Sequence, residues 1–542
     1  MSTFLSTWVG LGDEAHLAVT VAGDAAEAAS VLTETMVADK VASRIALADP
    51  TLWGPLVEES AATHLGWVAA PYTSRSLVSE LEDLYSDVRG EGLTRVVLVG
   101  VGGSAVSAGA ICATYGVPLT VVDSTEPTQL RSVLEHDLES TLVVACSAPE
   151  GTVEAEFLLS LFEEALEESG LDPRRHLVAV ADQHSALHRH ATDVGYRAVF
   201  TSEPTIGDRF SALSAATLVP VALAGVPVSE LLDEAEAVAD SLAEDHAANP
   251  AIVLGAAMGG AHRRYMVLSD HDSGLVGFAD WVEQLIASST GKDGVGIVPV
   301  VAEADAADTT FDGTLDTRFV PLDFEGEPEG HAIWVAGTLG GQILLWEYAT
   351  AIAGRLLGIN PFDAPRVESA TQAAIALLDA PARPDPFDFV DGSVGVTGSP
   401  GLLDGVQSLD DAVAAITAAV PAGGYLALVA FLNSDEFSDV PGVRARLSRK
   451  VGIPVTFGWG PRYQHCVGQV HKGGPAAGAF IQMTGSLGED MEIPGRPFTF
   501  GQVMHAQAVG DANVLINHNR PLLRLTVSSP SDVARVISVL GG

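Results

Sequence analysis

Lysine is nearly absent from this 542-residue chain, occurring only at Lys40, Lys292, Lys450 and Lys472. Acidic residues outnumber Lys plus Arg by 70 to 28, a formal charge of −42. That balance excludes nucleic acid as a partner, because phosphate backbones are gripped by clustered Lys and Arg. The acidity reads as the solvated surface of a soluble protein. Cysteine is scarce as well. Cys112, Cys146 and Cys466 are odd in number, far apart and without C-x-x-C spacing. This excludes a disulfide framework and a thiolate zinc site, and it fits a reducing cytoplasm. The opening MSTFLSTWVGLGDEAHL lacks a basic n-region and a continuous apolar h-region, so no secretory leader is expected. One stretch imitates a membrane span, Arg95 to Val122. Its Gly, Ser and Pro punctuation reads instead as strand, turn, helix and strand, and no membrane association is expected. No repeat of solenoid period is present.

What the chain does have is apolar residues, 47% of the total, enough to fill two cores of ordinary size. Residues from about 12 to 90 read as largely helical. A βα alternation follows, with strands at Arg95–Gly100, Leu119–Val122, Thr141–Ala145 and Leu177–Ala181. Each is a short apolar run suited to burial on both faces of a parallel sheet. A second alternation begins near Ala235, with strands expected at Ile252–Ala257, Val295–Val301 and Ala332–Ala336 and a helix at Gly341–Leu357. Residues 380–401 read as an exposed linker, and Tyr425–Leu432 and Ile453–Phe457 as further strands. The fold class is therefore α/β, with doubly wound domains of parallel strands flanked by helices. The expected organisation is a helical region over 1–75, a first domain over 76–232, and a second over 233–542 that carries a C-terminal extension.

Several segments resemble a known family. Trp281 to Pro299 reads WVEQLIASSTGKDGVGIVP, against the pattern WxxQLxxESxGKxGxGIxP. Gly100 to Ser104 resembles a GxGGS turn, Thr205 to Ser214 (TIGDRFSALS) an xxGGRFSxLS signature, and Trp346 to Glu368 a segment ending NPFDQPxVE. Pro461 to Pro475 reads PRYQHCVGQVHKGGP, similar to PRFLHSTGQxHKGGP. These patterns belong to the glucose-6-phosphate isomerases, in particular their long actinobacterial type. The resemblance implies two sugar-isomerase (SIS) domains, interconversion of glucose 6-phosphate and fructose 6-phosphate, no cofactor, no metal, a cytoplasmic location and a homodimer. A sugar phosphate or a related sugar is the implied ligand.

Aldose–ketose isomerisation needs a phosphate cradle, an acid to open the ring, a base to carry the proton between C1 and C2, and a cation beside the enediolate. The resemblance assigns Arg209 as that cation, a task suited to a fixed guanidinium. It assigns His465 to ring opening. Gly102, Gly103, Ser104, Ser147, Gly151, Thr152 and Gln284 are assigned to binding, and Gln469, His471 and Lys472 to lining the same pocket or supporting it. Three departures stand out. Ser288 occupies the position of the family's catalytic glutamate. Thr371 stands where the family often has lysine. In the cradle, SKSGSTxE has become Ser147-Ala-Pro-Glu-Gly-Thr-Val-Glu154, where Ala148 replaces a lysine and Glu150 adds a negative charge. Asp208 replaces a glycine, and is either a substitute base or the partner of a nearby cation. Three readings follow: an isomerase weakened by these departures, a non-catalytic sugar-phosphate-binding or regulatory paralogue on the same scaffold, or a structural partner that dimerises with an active homologue.

Overall fold

The computed structural model describes residues 4–10, 16–147, 153–260, 264–303, 317–323, 333–363, 365–378, 386–485 and 487–542. Three sheets, each predominantly or wholly parallel and flanked by helices, organise them. The first has the strand order Thr120–Val122, Arg95–Val99, Thr141–Cys146, Leu177–Ala181, Ala198–Thr201, parallel throughout. Val97, Leu98, Val143 and Val144 are fully buried in it, as continuous apolar runs in a two-sided sheet require.

The second sheet runs Phe4–Gly10, His16–Ala22, Ile333–Gly337, Thr317–Asp323, Tyr265–Ser269, Val298–Val301. Its first two strands are an exception to the largely helical reading of the N-terminal region. His16–Ala22 pairs antiparallel with Ile333–Gly337 and buries Leu17, Val19 and Val21 completely. Alternating β-branched residues favour that pairing, and the partner lies some three hundred residues away in sequence. Ile252–Ala257 is not a strand but part of the helix Pro250–Gly259. Asn249 accepts from the amides of Ala251 and Ile252, and Pro250 takes the first helical position. Residues 250–258 are buried on every side, a pattern from which periodicity cannot distinguish helix from strand.

The third sheet runs Phe389–Asp391, Val394–Gly398, Leu522–Val527, Gly478–Gly485, Tyr425–Phe431, Val455–Trp459. Residues 386–542 thus carry a sheet of their own, where an extension of the second domain was expected. Part of the expected linker is a hairpin within it, with Val394 and Val396 fully buried. Among the described residues no helix is long and apolar enough to cross a membrane.

Candidate functional site

The first strand, Arg95–Val99, ends in the turn Gly100–Gly102, and the helix Gly103–Thr114 starts immediately after it. A helix start of this kind offers unpaired N–H groups and positive potential to an anion. Here that position is taken by the protein itself. The Asp208 carboxylate accepts from the amide of Gly103, from the amide of Ser104 at 3.1 Å and from Ser104 Oγ at 2.8 Å. Gly102 has φ +113°, and a Cβ there would fall 2.2 Å from Asp208 Oδ2, so only glycine fits this turn. Neither expectation for Asp208 holds in its original form. Its hydrogen-bond partners are backbone amides and a hydroxyl, so it serves as a built-in anion.

Arg209, next in sequence, turns to the second sheet's helices and the NPFD segment. Its Nη1 donates to the carbonyls of Ser288 (3.2 Å), Pro361 (3.2 Å) and Asp363 (2.7 Å). Lys292 reinforces the same segment, donating to Asn360 O and pairing with Asp363 Oδ1 at 2.8 Å. Burial and the Arg209 charge bring the Lys292 ammonium down to about 7, with Asp363 opposing the shift.

Ser288 lies near the end of the helix Phe278–Thr290 and is buried. Its hydroxyl donates to Cys466 O at 2.6 Å. Gly102–Ser104, Arg209, Ser288 and the chain beside His465 therefore meet in one region. Gln284, one turn before Ser288, is enclosed, and its Oε1 accepts no hydrogen bond among the described residues. Ser147 is half-buried at the end of its strand, and its amide donates to Val180 O. Gly151 and Thr152, with Ala148 to Glu150, lie outside the described residues.

Three residues assigned to lining or supporting the pocket are enclosed in the protein interior. Gln469, His471 and Lys472 lie on the short helix Gly468–Gly473, each at most 2% exposed. Gln469 Nε2 donates to Gly291 O at 2.8 Å. His471 Nδ1 bonds the Tyr425 hydroxyl at 2.7 Å, and burial, followed by the Lys472 and Arg520 charges, brings its imidazole down to about 3. Lys472 Nζ pairs with Asp511 Oδ1 at 2.7 Å, both side chains having no exposed surface. An apolar interior surrounds them because Tyr265, Val298, Tyr425 and Phe480 pack between the second and third sheets. These residues hold the site's walls together.

The sequence reading missed Glu154, which is buried on the helix Val153–Glu168. Its Oε1 accepts from Gln507 Nε2 at 2.8 Å and lies 3.5 Å from His465 Nε2. Gln507 in turn accepts from Thr125 Oγ1 at 2.8 Å, which fixes its amide orientation. Burial pushes the Glu154 carboxyl up, but the close His465 imidazole and the Gln507 N–H together bring it below the ordinary carboxylate range. Glu154 closes the cradle-like stretch, and that position was its signal. Gln507 had none, since it comes from the helix Phe500–Asn517 of the third region. The geometry supplies a carboxylate–imidazole pair able to move a proton. At position 288 it supplies only a hydroxyl.

No family model matches the chain. Among curated proteins it is similar to the glucose-6-phosphate isomerase of a Cyanothece species, 31% identical over 218 residues, covering 38% of this chain and 41% of that one. It is similar also to the glucose-6-phosphate isomerase of Rubrobacter xylanophilus, 26% identical over 390 residues, covering 58% of this chain and 89% of that one. The chain thus spans less than half of the first relative and most of the second. Among solved structures, a glucose-6-phosphate isomerase from Chlamydia trachomatis matches with a TM-score of 0.52 at 18% identity, covering 67% of this chain and 88% of that one. A likeness at that identity speaks for the fold. With its family-like segments gathered on one α/β scaffold, the chain is similar to the glucose-6-phosphate isomerases, at the distance of a divergent relative.

Proposed function

We propose that this protein keeps the sugar site of a glucose-6-phosphate isomerase but has lost ordinary aldose–ketose turnover, and acts as a sugar-binding or regulatory paralogue. The observation that carries this reading is Ser288: where the reaction needs a base, a buried hydroxyl donates to Cys466 O. A serine so placed has no basicity near neutral pH, and general-base catalysis contributes about 10²–10⁴-fold. The Asp208 carboxylate at the helix start supports it, because an incoming anion would meet both a filled position and a like charge. The homodimer, the cytoplasmic location and a hexose phosphate as the natural ligand accompany this reading as proposals. In a coupled assay for fructose 6-phosphate conversion, kcat/KM should fall at least ~10²-fold below that of a relative with the full motif. An ordinary isomerase rate overturns the reading.

A second reading, an isomerase slowed but still working, is favoured by the His465–Glu154 pair, which is suited to ring opening. The two readings separate at one experiment. Asp208→Gly restores the family's glycine and frees the amides of Gly103 and Ser104. Affinity for inorganic phosphate should then rise about tenfold, the equivalent of one charge-assisted hydrogen bond. Calorimetry at fixed ionic strength reads this, and unchanged affinity would show that Asp208 does not guard the anion position. If the wild type is slow only because that position is filled, the same variant should isomerise. If the base is missing, it should bind without turnover.

A further inference from the structure

A cavity of 560 Å³, of the size that holds small ligands, is lined by none of the site residues chosen from the sequence, although Cys466 and Glu283 in its wall adjoin His465 and Gln284. It opens where the carboxyl ends of strands from two sheets meet. Asp270 and His271 follow the strand Tyr265–Ser269, Ala302 and Glu303 follow Val298–Val301, and Phe457 to Trp459 end the strand Val455–Trp459. Carboxyl ends of parallel strands at a break between sheets are where α/β proteins bind ligands.

The lining has a consistent chemistry. Phe457 and Trp459 form one wall as an edge-to-face pair with centroids 5.0 Å apart. Five carboxylates face the space, from Asp270, Asp272, Asp280, Glu283 and Glu303, against two guanidinium groups. Arg444 is committed, its Nε donating to Glu303 at 3.0 and 3.1 Å. Arg462 lies 3.6 Å from both Asp123 Oδ2 and Asp280 Oδ1. That is close enough for charge attraction and too long for a hydrogen bond, so its N–H groups keep donor capacity for a ligand. The negative excess is felt inside: burial, and then the Asp280 charge, push the Glu283 carboxyl well above its usual range. Burial, relieved in part by Arg462, raises Asp280 too. Among the described residues no grouping of His, Cys, Asp and Glu could hold a metal ion.

We propose that this cavity binds an unphosphorylated polyol bearing a protonated amine, of the size of an amino sugar. The ammonium lies between Glu283 and Asp280, the hydroxyls bond the remaining carboxylates and Arg462, and the apolar face of the ring covers the Trp459 indole. A phosphate group is repelled by the same carboxylates.

The probes are glucosamine, glucose and glucosamine 6-phosphate, titrated calorimetrically into the full chain at fixed ionic strength. Glucosamine should bind about tenfold tighter than glucose and about tenfold tighter than its 6-phosphate, a contrast the size of one charge-assisted bond. Glu283→Gln should remove the preference for glucosamine over glucose, and Trp459→Ala should weaken both, each with an unchanged melting profile. Asp208→Gly should leave glucosamine binding as it was, which separates this cavity from the site around Ser288. Three results overturn the proposal: no saturable glucosamine binding, equal or tighter binding of the 6-phosphate, or a glucosamine response to Asp208→Gly with none to Glu283→Gln. Failure here leaves the isomerase-type site untouched, and the coupled assay judges that site separately.

Discussion

Asp511→Ala is expected to destabilise the third region by about 3–5 kcal/mol, because it strands the Lys472 ammonium in a place with no water. Lys472 rests 5.5 Å from the centre of the Tyr463 ring, and Asp511 also accepts from the Tyr463 hydroxyl. Burial and the Asp511 charge push that hydroxyl far up, so it stays protonated and donates. Removing one member of such a set leaves the others desolvated and unpaired. Removing both charges should cost much less, since a buried ion pair replaced by apolar groups is often neutral. Denaturant unfolding of wild type, Asp511→Ala and the double variant Lys472→Met with Asp511→Leu reads the difference. The single variant should melt earliest and the double should recover most of the loss. An Asp511→Ala midpoint equal to wild type would falsify this account of the pair. The effect should reach the site as well. The helix carrying Lys472 packs so closely on Gly291 that a Cβ there would fall 2.2 Å from Val470 Cα.

The motif segments were legible because each is local. A strand, a glycine turn and a helix start are written within ten residues at Arg95 to Ser104. The parallel strands of the first sheet were legible for the same reason, being short apolar runs between turn signals. What the sequence concealed was pairing at a distance. Asp208 meets Ser104 across 104 positions, and no periodicity encodes a carboxylate closing on a helix start. Gln507 reaches Glu154 across 353 positions, so a chain segment read as an appendage orients a candidate catalytic pair. Lys472 illustrates the same limit. A lysine in a family-like motif suggested a place in or behind the pocket, and its enclosed partner Asp511 was not readable from the sequence.

Ser288→Glu restores the family's residue, and the sequence alone makes it the natural rescue. The structure sets two obstacles. Ser288 is 2% exposed and its hydroxyl donates to Cys466 O, so a carboxylate would meet a carbonyl oxygen and no proton. Losing that bond and crowding the site should cost about 2–4 kcal/mol. The second obstacle is Asp208, which holds the anion position and adds a like charge on the Gly103 side of the site. Ser288→Glu alone should therefore lower the melting temperature and leave isomerisation near the wild-type level. Ser288→Glu combined with Asp208→Gly opens the anion position and lets the new carboxylate serve as the base. The pair should raise kcat/KM by about 10²–10⁴-fold, the usual contribution of a general base. Arg209 is already anchored to the Ser288 carbonyl and the NPFD segment, so the backbone around both changes has a fixed support. The gain should be strongly non-additive, because neither change supplies a working site without the other. The measurement is kcat/KM and melting temperature for wild type, both single variants and the double. If Ser288→Glu alone reaches the activity of the double, Asp208 is no barrier and the anion-slot argument fails. If the double stays as slow as wild type while binding phosphate tightly, the deficit lies beyond the base, and Thr371 in the place of the family lysine becomes the next position to change.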